Sequence, residues 1–220
     1  NYTLMNRYFL TLSIRRDGYS AFGMENPYAT FPSGALAWNL SDESFFNIKW
    51  INNLKVRASY GINGNRDIGI YDALAKLETN KYLTGSTLIS GIYSSSLANQ
   101  YLKWEKTKAL NLGLDFSILN SRLNGSVDYY SMITNDLLLK RSLPTIIGYD
   151  NVMSNMGELQ NKGFEMTLNS YNIQNKGFSW NSTLTFSFNR NKIKHLYGET
   201  INILDENGNV IGQREGDDID

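Results

Sequence analysis

Apolar and polar residues alternate along much of the chain, most clearly between Trp104 and Asn135. Leu110, Leu112, Leu114, Phe116 and Ile118 share one face, while Asn111, Gly113, Asp115 and Ser117 share the other. Asn120-Ser121-Arg122 reverses the chain, and Leu123, Val127 and Tyr129 then alternate with Asn124, Ser126, Asp128 and Tyr130. Successive side chains of a strand leave opposite faces, so this period of two predicts a β-hairpin. About ten residues at roughly 3.3 Å each, tilted by about 40°, span roughly 25 Å, the height of the apolar band on a transmembrane barrel. Strands of soluble domains average about five to six residues. Length and alternation together predict the wall of a membrane barrel.

The same rule recurs on either side. Tyr2-Thr3-Leu4 reads as the end of a strand and Asn6-Arg7 as a tight turn, after which Tyr8, Leu10, Leu12 and Ile14 oppose Phe9, Thr11, Ser13 and Arg15. A loop runs from Asp17-Gly18 to about Thr30, and Phe31-Pro32 re-enters a strand in which Leu36, Trp38 and Leu40 alternate with Ala35 and Ala37. Ser41 to Asn53 predicts a turn with one helical turn capped by Ser41. Leu54, Val56, Ala58 and Tyr60 then oppose Lys55, Arg57 and Ser59. From Gly61 to Leu102 the alternation fails, which predicts one long loop with some strand of its own. Asp136 to Ser154 is a second excursion. Phe164, Met166 and Leu168 oppose Glu165, Thr167 and Asn169; after a turn at Gln174-Asn175-Lys176-Gly177, Trp180, Leu184, Phe186 and Phe188 oppose Asn181, Thr183, Thr185 and Ser187. From Lys192 the chain leaves the sheet.

About eight strands result, and their connections alternate between short and long. The long ones fall near residues 17–30, 62–102, 136–154 and 194–220. In outer-membrane barrels the short turns are periplasmic and the long loops external. Tyr8, Trp38 and Trp180 near short turns, with Tyr60 and Tyr129 near long loops, match two interfacial aromatic girdles. Lys or Arg at mid-bilayer on the lipid face costs about 2–4 kcal/mol. With the apolar set outward, Lys55, Arg57, Asp115, Asp128 and Glu165 all face the lumen, and a slip of one residue would put all five into lipid.

Composition narrows the classes. The formal net charge of the 220 residues is zero, which offers no positive stripe for nucleic acid. No stretch approaches the roughly 18 apolar residues of a transmembrane helix, a test to which barrels are invisible. With no cysteine and one histidine, neither a thiolate nor a His-based metal site is expected, and no cofactor is implied. Eight strands can close a small barrel. This chain opens in mid-strand and stops at the polar Gly216-Asp217-Asp218-Ile219-Asp220, so it reads as an arc of a larger barrel cut from a longer polypeptide.

Several short motifs then follow in a familiar order. They are Arg15-Arg16-Asp17-Gly18, Phe31-Pro32-Ser33 with Ala37-Trp38, Arg57-Ala58-Ser59-Tyr60-Gly61 with Gly64-Asn65, and Leu102-Lys103-Trp104-Glu105-Lys106-Thr107. Asn111-Leu112-Gly113-Leu114-Asp115, Asp128-Tyr129-Tyr130, Asn161-Lys162-Gly163-Phe164-Glu165 and Phe186-Ser187-Phe188-Asn189 continue the series. Over roughly residues 8 to 195 the chain resembles the SusC/RagA family of TonB-linked outer-membrane proteins. The resemblance implies an all-β, antiparallel transmembrane barrel of about 22 strands, with a plug and a segment engaging the TonB complex outside this chain. It also implies a SusD-like surface lipoprotein as partner, and import of oligosaccharides, or of peptides in the RagA branch, across the bacterial outer membrane. A siderophore receptor would lack the SusD-like partner and a passive porin the plug. A soluble β-sandwich would need a second apolar set to cover the outward faces, and none is left over.

Candidate contact residues fall in two groups. The loop 62–102 carries Asn63, Asn65, Arg66, Asp67, Tyr71 and Tyr93; aromatic faces with fixed amide, carboxylate and guanidinium groups suit a sugar, though they equally fold a loop or meet a partner. Lumen-facing Lys55, Arg57, Asp115, Asp128 and Glu165 bind a plug or line a path, or simply pair across strands. Carboxylates act as a glycosidase pair only when held about 5–9 Å apart around a substrate, and nothing marks Asp115 or Asp128 in that way. No catalytic residue and no enzyme activity are predicted. Asp205-Glu206-Asn207-Gly208-Asn209 lacks the ligand spacing of a calcium loop and reads as a hairpin tip. His195 reads as a lone loop residue, and Asn181-Ser182-Thr183, an acceptor pattern for glycosylation, lies in a wall strand.

Overall fold

The computed structural model describes residues 1–22, 25–69, 72–149, 151–195 and 218–219. Its strands are β1 (Tyr2–Leu4), β2 (Tyr8–Gly18), β3 (Tyr28–Asn39), β4 (Ile51–Asn65), β5 (Leu77–Thr84), β6 (Thr87–Ser94) and β7 (Glu105–Ile118). They continue as β8 (Leu123–Asn135), β9 (Leu138–Ser142), β10 (Asn151–Asn155), β11 (Glu158–Asn175), β12 (Phe178–His195) and the short β13 (Asp218–Ile219). One sheet contains nine of them in the order β1-β2-β3-β4-β7-β8-β11-β12-β13, every neighbour antiparallel. The remaining four form two separate hairpins, β5–β6 and β9–β10, each set inside a long connection. The sheet is a simple meander, the topology that a barrel wall needs.

The alternation holds where it is strongest, and the ends of the elements differ. Met5 and Asn6 both adopt positive φ (52° and 54°), and Arg7 N donates to Leu4 O at 3.0 Å. This two-residue hairpin turn, with left-handed backbone at both centres, lies one residue earlier than Asn6-Arg7. The helical turn is a 3-10 turn at Leu40–Asp42, entered from Asn39 without a side-chain cap, so Ser41 lies inside it and Leu40 leaves the strand face. Strand β3 begins at Tyr28 rather than Phe31, and β4 runs to Asn65 rather than stopping near Tyr60. Both extensions are held by ladder partners, Tyr28 opposite Gly18 and Asn65 opposite Glu105. Strand β12 continues to His195, which is a strand residue rather than a loop residue. The Asn207-Gly208 tip lies outside the described residues.

The ladder aligns Leu10, Leu36, Ala58, Leu112, Tyr129, Phe164 and Phe188 in one row across seven strands. These belong to the apolar face, and much of it is bare: Leu12 is 69% exposed, Ile14 76% and Phe188 57%. A surface of that extent is not left open to water. The opposite face carries Phe9, Ala37, Arg57, Gly113, Asp128 and Glu165 in its own row. Ring-on-glycine contacts lock the strands together. A Cβ at Gly163 would stand 2.5 Å from Tyr130 Oη, and one at Gly64 would stand 2.0 Å from Phe31 Cζ.

Among the described residues the buried apolar side chains gather at one end of the sheet rather than along the middle of the wall. Phe22, Ala29, Phe31, Ile68, Ala73, Leu102 and Trp104 form one core at the end of the sheet that bears the long connections. Leu138 and Met153 of the β9–β10 hairpin pack against it.

Candidate functional site: the loop end and the polar face

The core at the long-connection end is an aromatic stack. Trp104 lies 5.6 Å from Phe31 and 5.4 Å from Phe22 between ring centroids, and Phe22 lies 5.2 Å from Tyr19, all edge to face. That geometry pairs the positive ring edge with the negative ring face. Arg66 covers the open side of Tyr19, its Cζ 4.5 Å from the ring centroid. Trp104 precedes β7 by one residue, so the alternation of that strand does not govern it and its ring turns into the core.

Hydrogen bonds lace the three described long connections around this stack. Asn99 Nδ2 donates to Met153 O, Lys103 N to Asn155 Oδ1 and Asn155 Nδ2 back to Lys103 O, each at 2.8 Å. Leu138 N donates to Glu105 Oε2 at 3.2 Å, Trp104 Nε1 to Pro27 O at 3.4 Å, and Lys103 pairs with Asp136 at 3.0 Å. Between these segments opens a polar cavity of about 610 Å³, lined by Asn26, Asn99, Tyr101, Lys103, Arg141 and Asn155 among others. The Tyr101 side is open, the residue being 76% exposed. Asp72 is held below its ordinary pKa, first by a hydrogen bond from Lys76 and then by the Gly69 amide, which donates at 2.7 Å. That ion pair joins the two ends of the segment 72–76.

The residues expected in this region scatter. Asn63 and Asn65 are not loop residues; they end β4, opposite Thr107 and Glu105. Asn65 Nδ2 donates to Glu105 Oε1 at 3.3 Å, and its Oδ1 accepts from Asp67 N at 3.2 Å, which shapes the turn after the strand. Arg66 serves the aromatic stack. Tyr93 sits on the β5–β6 hairpin and donates to Glu78 Oε2 at 3.2 Å, away from the main sheet's ladder. Tyr71 lies outside the described residues. Sequence reading missed Asn99, Tyr101, Lys103, Arg141 and Asn155, because only contacts between distant loops bring them together. The one local signal was Lys103-Trp104-Glu105, a large aromatic at the foot of a strand.

On the polar face the expected charges do meet. Arg57 Nε and Nη2 donate to Asp115 Oδ2 and Oδ1, both at 2.8 Å, and Nη2 also donates to Asp128 Oδ1 at 2.9 Å. Gly113 stands opposite Arg57 on one side and Asp128 on the other. A Cβ there would lie 2.6 Å from both Arg57 Cζ and Asp128 Oδ1. The missing side chain is the gap through which the guanidinium reaches a strand two places away. Lys55 is in register with Asp115, yet its Nζ lies 4.9 Å above the Phe9 ring, because Arg57 already occupies that carboxylate. Glu165 stands opposite Asp128 and, among the described residues, makes no ion pair. The described residues hold no cluster fit for a metal ion.

At the other end of the sheet, Glu43 accepts from Tyr8 Oη at 2.5 Å, Trp38 Nε1 at 3.0 Å and Arg7 Nη1 at 3.3 Å. The Tyr8 hydrogen bond, then that of Trp38, holds its carboxyl below the ordinary glutamate value.

Comparison with known proteins places this geometry. A family model described as "TonB dependent receptor-like, beta-barrel" matches residues 1–216. The chain is 44% identical over 197 residues to TonB-dependent receptor P3 of Formosa agariphila, covering 89% of this chain and 20% of that protein. It is 38% identical over 205 residues to TonB-dependent receptor SusC of Bacteroides thetaiotaomicron, covering 90% and 20%. Among solved structures, the RagAB peptide importer in its open-open state superposes with a TM-score of 0.80 at 31% identity, over 90% of this chain and 21% of that one. The chain thus spans about a fifth of the length of these relatives.

Proposed function

The chain belongs to the TonB-dependent receptor-like β-barrel family of the outer membrane, in its SusC/RagA branch, and from that premise we propose that the whole protein is an active importer of oligosaccharides. On this reading the apolar face meets lipid, the polar face lines the lumen, and the long connections stand outside the cell. The protein takes its energy from the TonB complex through a segment beyond this chain and works with a SusD-like surface lipoprotein. The observation that carries the substrate class is the cavity at the loop end. Its open Tyr101 ring stands beside Arg141, Ser154 and the acceptor oxygen of Asn26, while the amides of Asn99 and Asn155 hold the surrounding loops in place. Sugar hydroxyls and ring faces need that combination. The Arg57–Asp115–Asp128 cluster below keeps the lumen wall polar and its strands in register.

A second reading, import of peptides, is favoured by the likeness to the RagAB peptide importer. One experiment separates the two. The full-length protein with its lipoprotein, purified from outer membranes, is offered a mixed pool of neutral oligosaccharides and a mixed pool of peptides, and retained ligands are identified by mass spectrometry. The oligosaccharide reading expects glycans to be retained and Tyr101→Ala to weaken their binding about fivefold or more, the effect of losing an anchor worth more than about 1 kcal/mol. Retention of peptides alone selects the second reading. Retention of neither, by a complex that still assembles, overturns both.

A further inference from the structure

We infer that the outer margin of the apolar face is a binding line for the phosphate groups of a phosphorylated glycolipid in the external leaflet. This rests on the proposed orientation, with the apolar face in lipid and the long connections outside. The observation is an asymmetry of charge between the faces. Register places Arg16, Lys106, Lys108, Lys162 and Arg190 on the same face as Leu10, Leu112, Phe164 and Phe188. All five are exposed. From strands β2 to β12 that face carries one carboxylate among the described residues, Glu158, which accepts from Asn135 Nδ2 at 2.7 Å. The polar face, by contrast, mixes both signs and joins Arg57 to Asp115 and Asp128.

The position of the cations is as informative as their sign. Relative to the Leu10–Phe188 row, Arg16 and Lys106 stand six residues toward the loop end, Lys108 four, and Lys162 and Arg190 two. The cations therefore step down across the sheet from β2 to β12. The aromatics at the opposite margin step the same way: Tyr8 lies two residues below that row on β2, and Trp180 eight residues below it on β12. Strands of a barrel are tilted, so a line level with the membrane must cross rows in this manner. Two lines that slope in the same direction, eight residues apart on β2 and ten on β12, mark the two edges of one apolar band. The cations sit along its outer edge, where lipid headgroups lie.

The three lysines are available for such a ligand. Among the described residues Lys106, Lys108 and Lys162 make no ion pair. Arg16 lies 5.1 Å over the Tyr28 ring, which itself covers Gly18, so an aromatic plate holds the guanidinium at the margin with its edge open. Lys192 is left out of the line because it is half-buried and in register with Asp218. Cations in a row attract anionic headgroups at about 1 kcal/mol each, or roughly fivefold in affinity. A line of five spread over several strands fits a ligand layer rather than one small anion.

The test uses the full-length protein in nanodiscs that contain a trace of fluorescent diphosphoryl lipid A, with the chemically dephosphorylated lipid as the second probe. The parent is expected to concentrate the phosphorylated probe about fivefold or more over the other, as read by energy transfer from tryptophan. The combined R16Q, K106Q, K108Q, K162Q and R190Q variant loses that preference. A variant with K49Q, R122Q and K176Q, which removes cations from the opposite turns, retains it. Equal enrichment of both probes, an unchanged five-site variant, or displacement of the probe by millimolar inorganic phosphate as readily as by unlabelled lipid A overturns the inference. The orientation is checked separately by labelling Ser86→Cys at the β5–β6 tip on intact cells with an impermeant maleimide. Labelling there with negative lipid results sinks this inference alone; labelling only after the cells are opened sinks the orientation and the inference with it.

Discussion

Substituting Gly64 by alanine tests whether the loop end is held by the aromatic stack. The added methyl would stand 2.0 Å from Phe31 Cζ and 2.5 Å from Cε1. The ring cannot simply swing aside, since Phe31 is 4% exposed and abuts Trp104, also 4% exposed. Inserting a methyl into a filled site costs about 1–3 kcal/mol. The loss falls on the core that joins the long connections rather than on the whole barrel, so local opening is the quantity to measure. Amide hydrogen exchange in the full-length protein should accelerate in residues 66–69, 72–76 and 97–104 by roughly tenfold per 1.4 kcal/mol. Exchange in β11 and β12 should stay as it was. Gly177→Ala serves as the control, because a methyl there meets nothing within 4 Å. Trimming the ring in the Phe31→Leu, Gly64→Ala double variant should recover part of the loss. If Gly64→Ala exchanges like the Gly177→Ala control, the ring does not wedge the loops and the reasoning fails.

Other outcomes follow from the two faces and the turns. Leu112→Lys, in the middle of the apolar face, should destabilise the barrel by about 2–4 kcal/mol in urea titrations from lipid vesicles, whereas Asn111→Lys beside it should cost less than about 1 kcal/mol. A double-mutant cycle between Arg57→Gln and Asp115→Asn should give a coupling of about 1 kcal/mol or less, because both side chains are more than a third exposed; a coupling above about 3 kcal/mol would mean the cluster is shielded from water. Glu43 should make stability depend on acid. Its folded pKa is depressed, so its contribution is complete above the ordinary value of 4.5 and is lost as pH falls through the lower folded value. Glu43→Gln should remove that contribution at neutral pH and flatten the unfolding profile in the acidic window, where the parent loses it by protonation.

The wall was legible because its two faces meet different surroundings. Leu110 to Ile118 and Tyr8 to Ile14 alternate for that reason alone, and the register they imply is the one observed. The β5–β6 hairpin could be expected only as some strand within the long loop, for the complementary reason. Its residues are exposed on both sides, so Leu77, Tyr82, Leu83 and Ile92 follow no pattern that a one-sided environment would impose. The ends of β3 and β4 were hidden by the same effect, as Tyr28 to Thr30 and Gly61 to Asn65 lie where the sheet meets the loops. Arg57, Asp115 and Asp128 could be placed together because neighbouring strands carry them. The cavity residues could not, since Asn99 and Asn155 meet only after two loops have folded onto Trp104.

The hairpin β5–β6 has a practical corollary. It pairs with itself alone, contributes nothing to the aromatic core, and ends at Gly85, whose surroundings are empty within 4 Å. A foreign sequence spliced between Gly85 and Ser86 would lengthen a free-standing ribbon without displacing any wall strand. In the proposed orientation this makes the segment a ready platform for cell-surface display, in which a grafted epitope or enzyme tag rides on the barrel while the loop core keeps its shape.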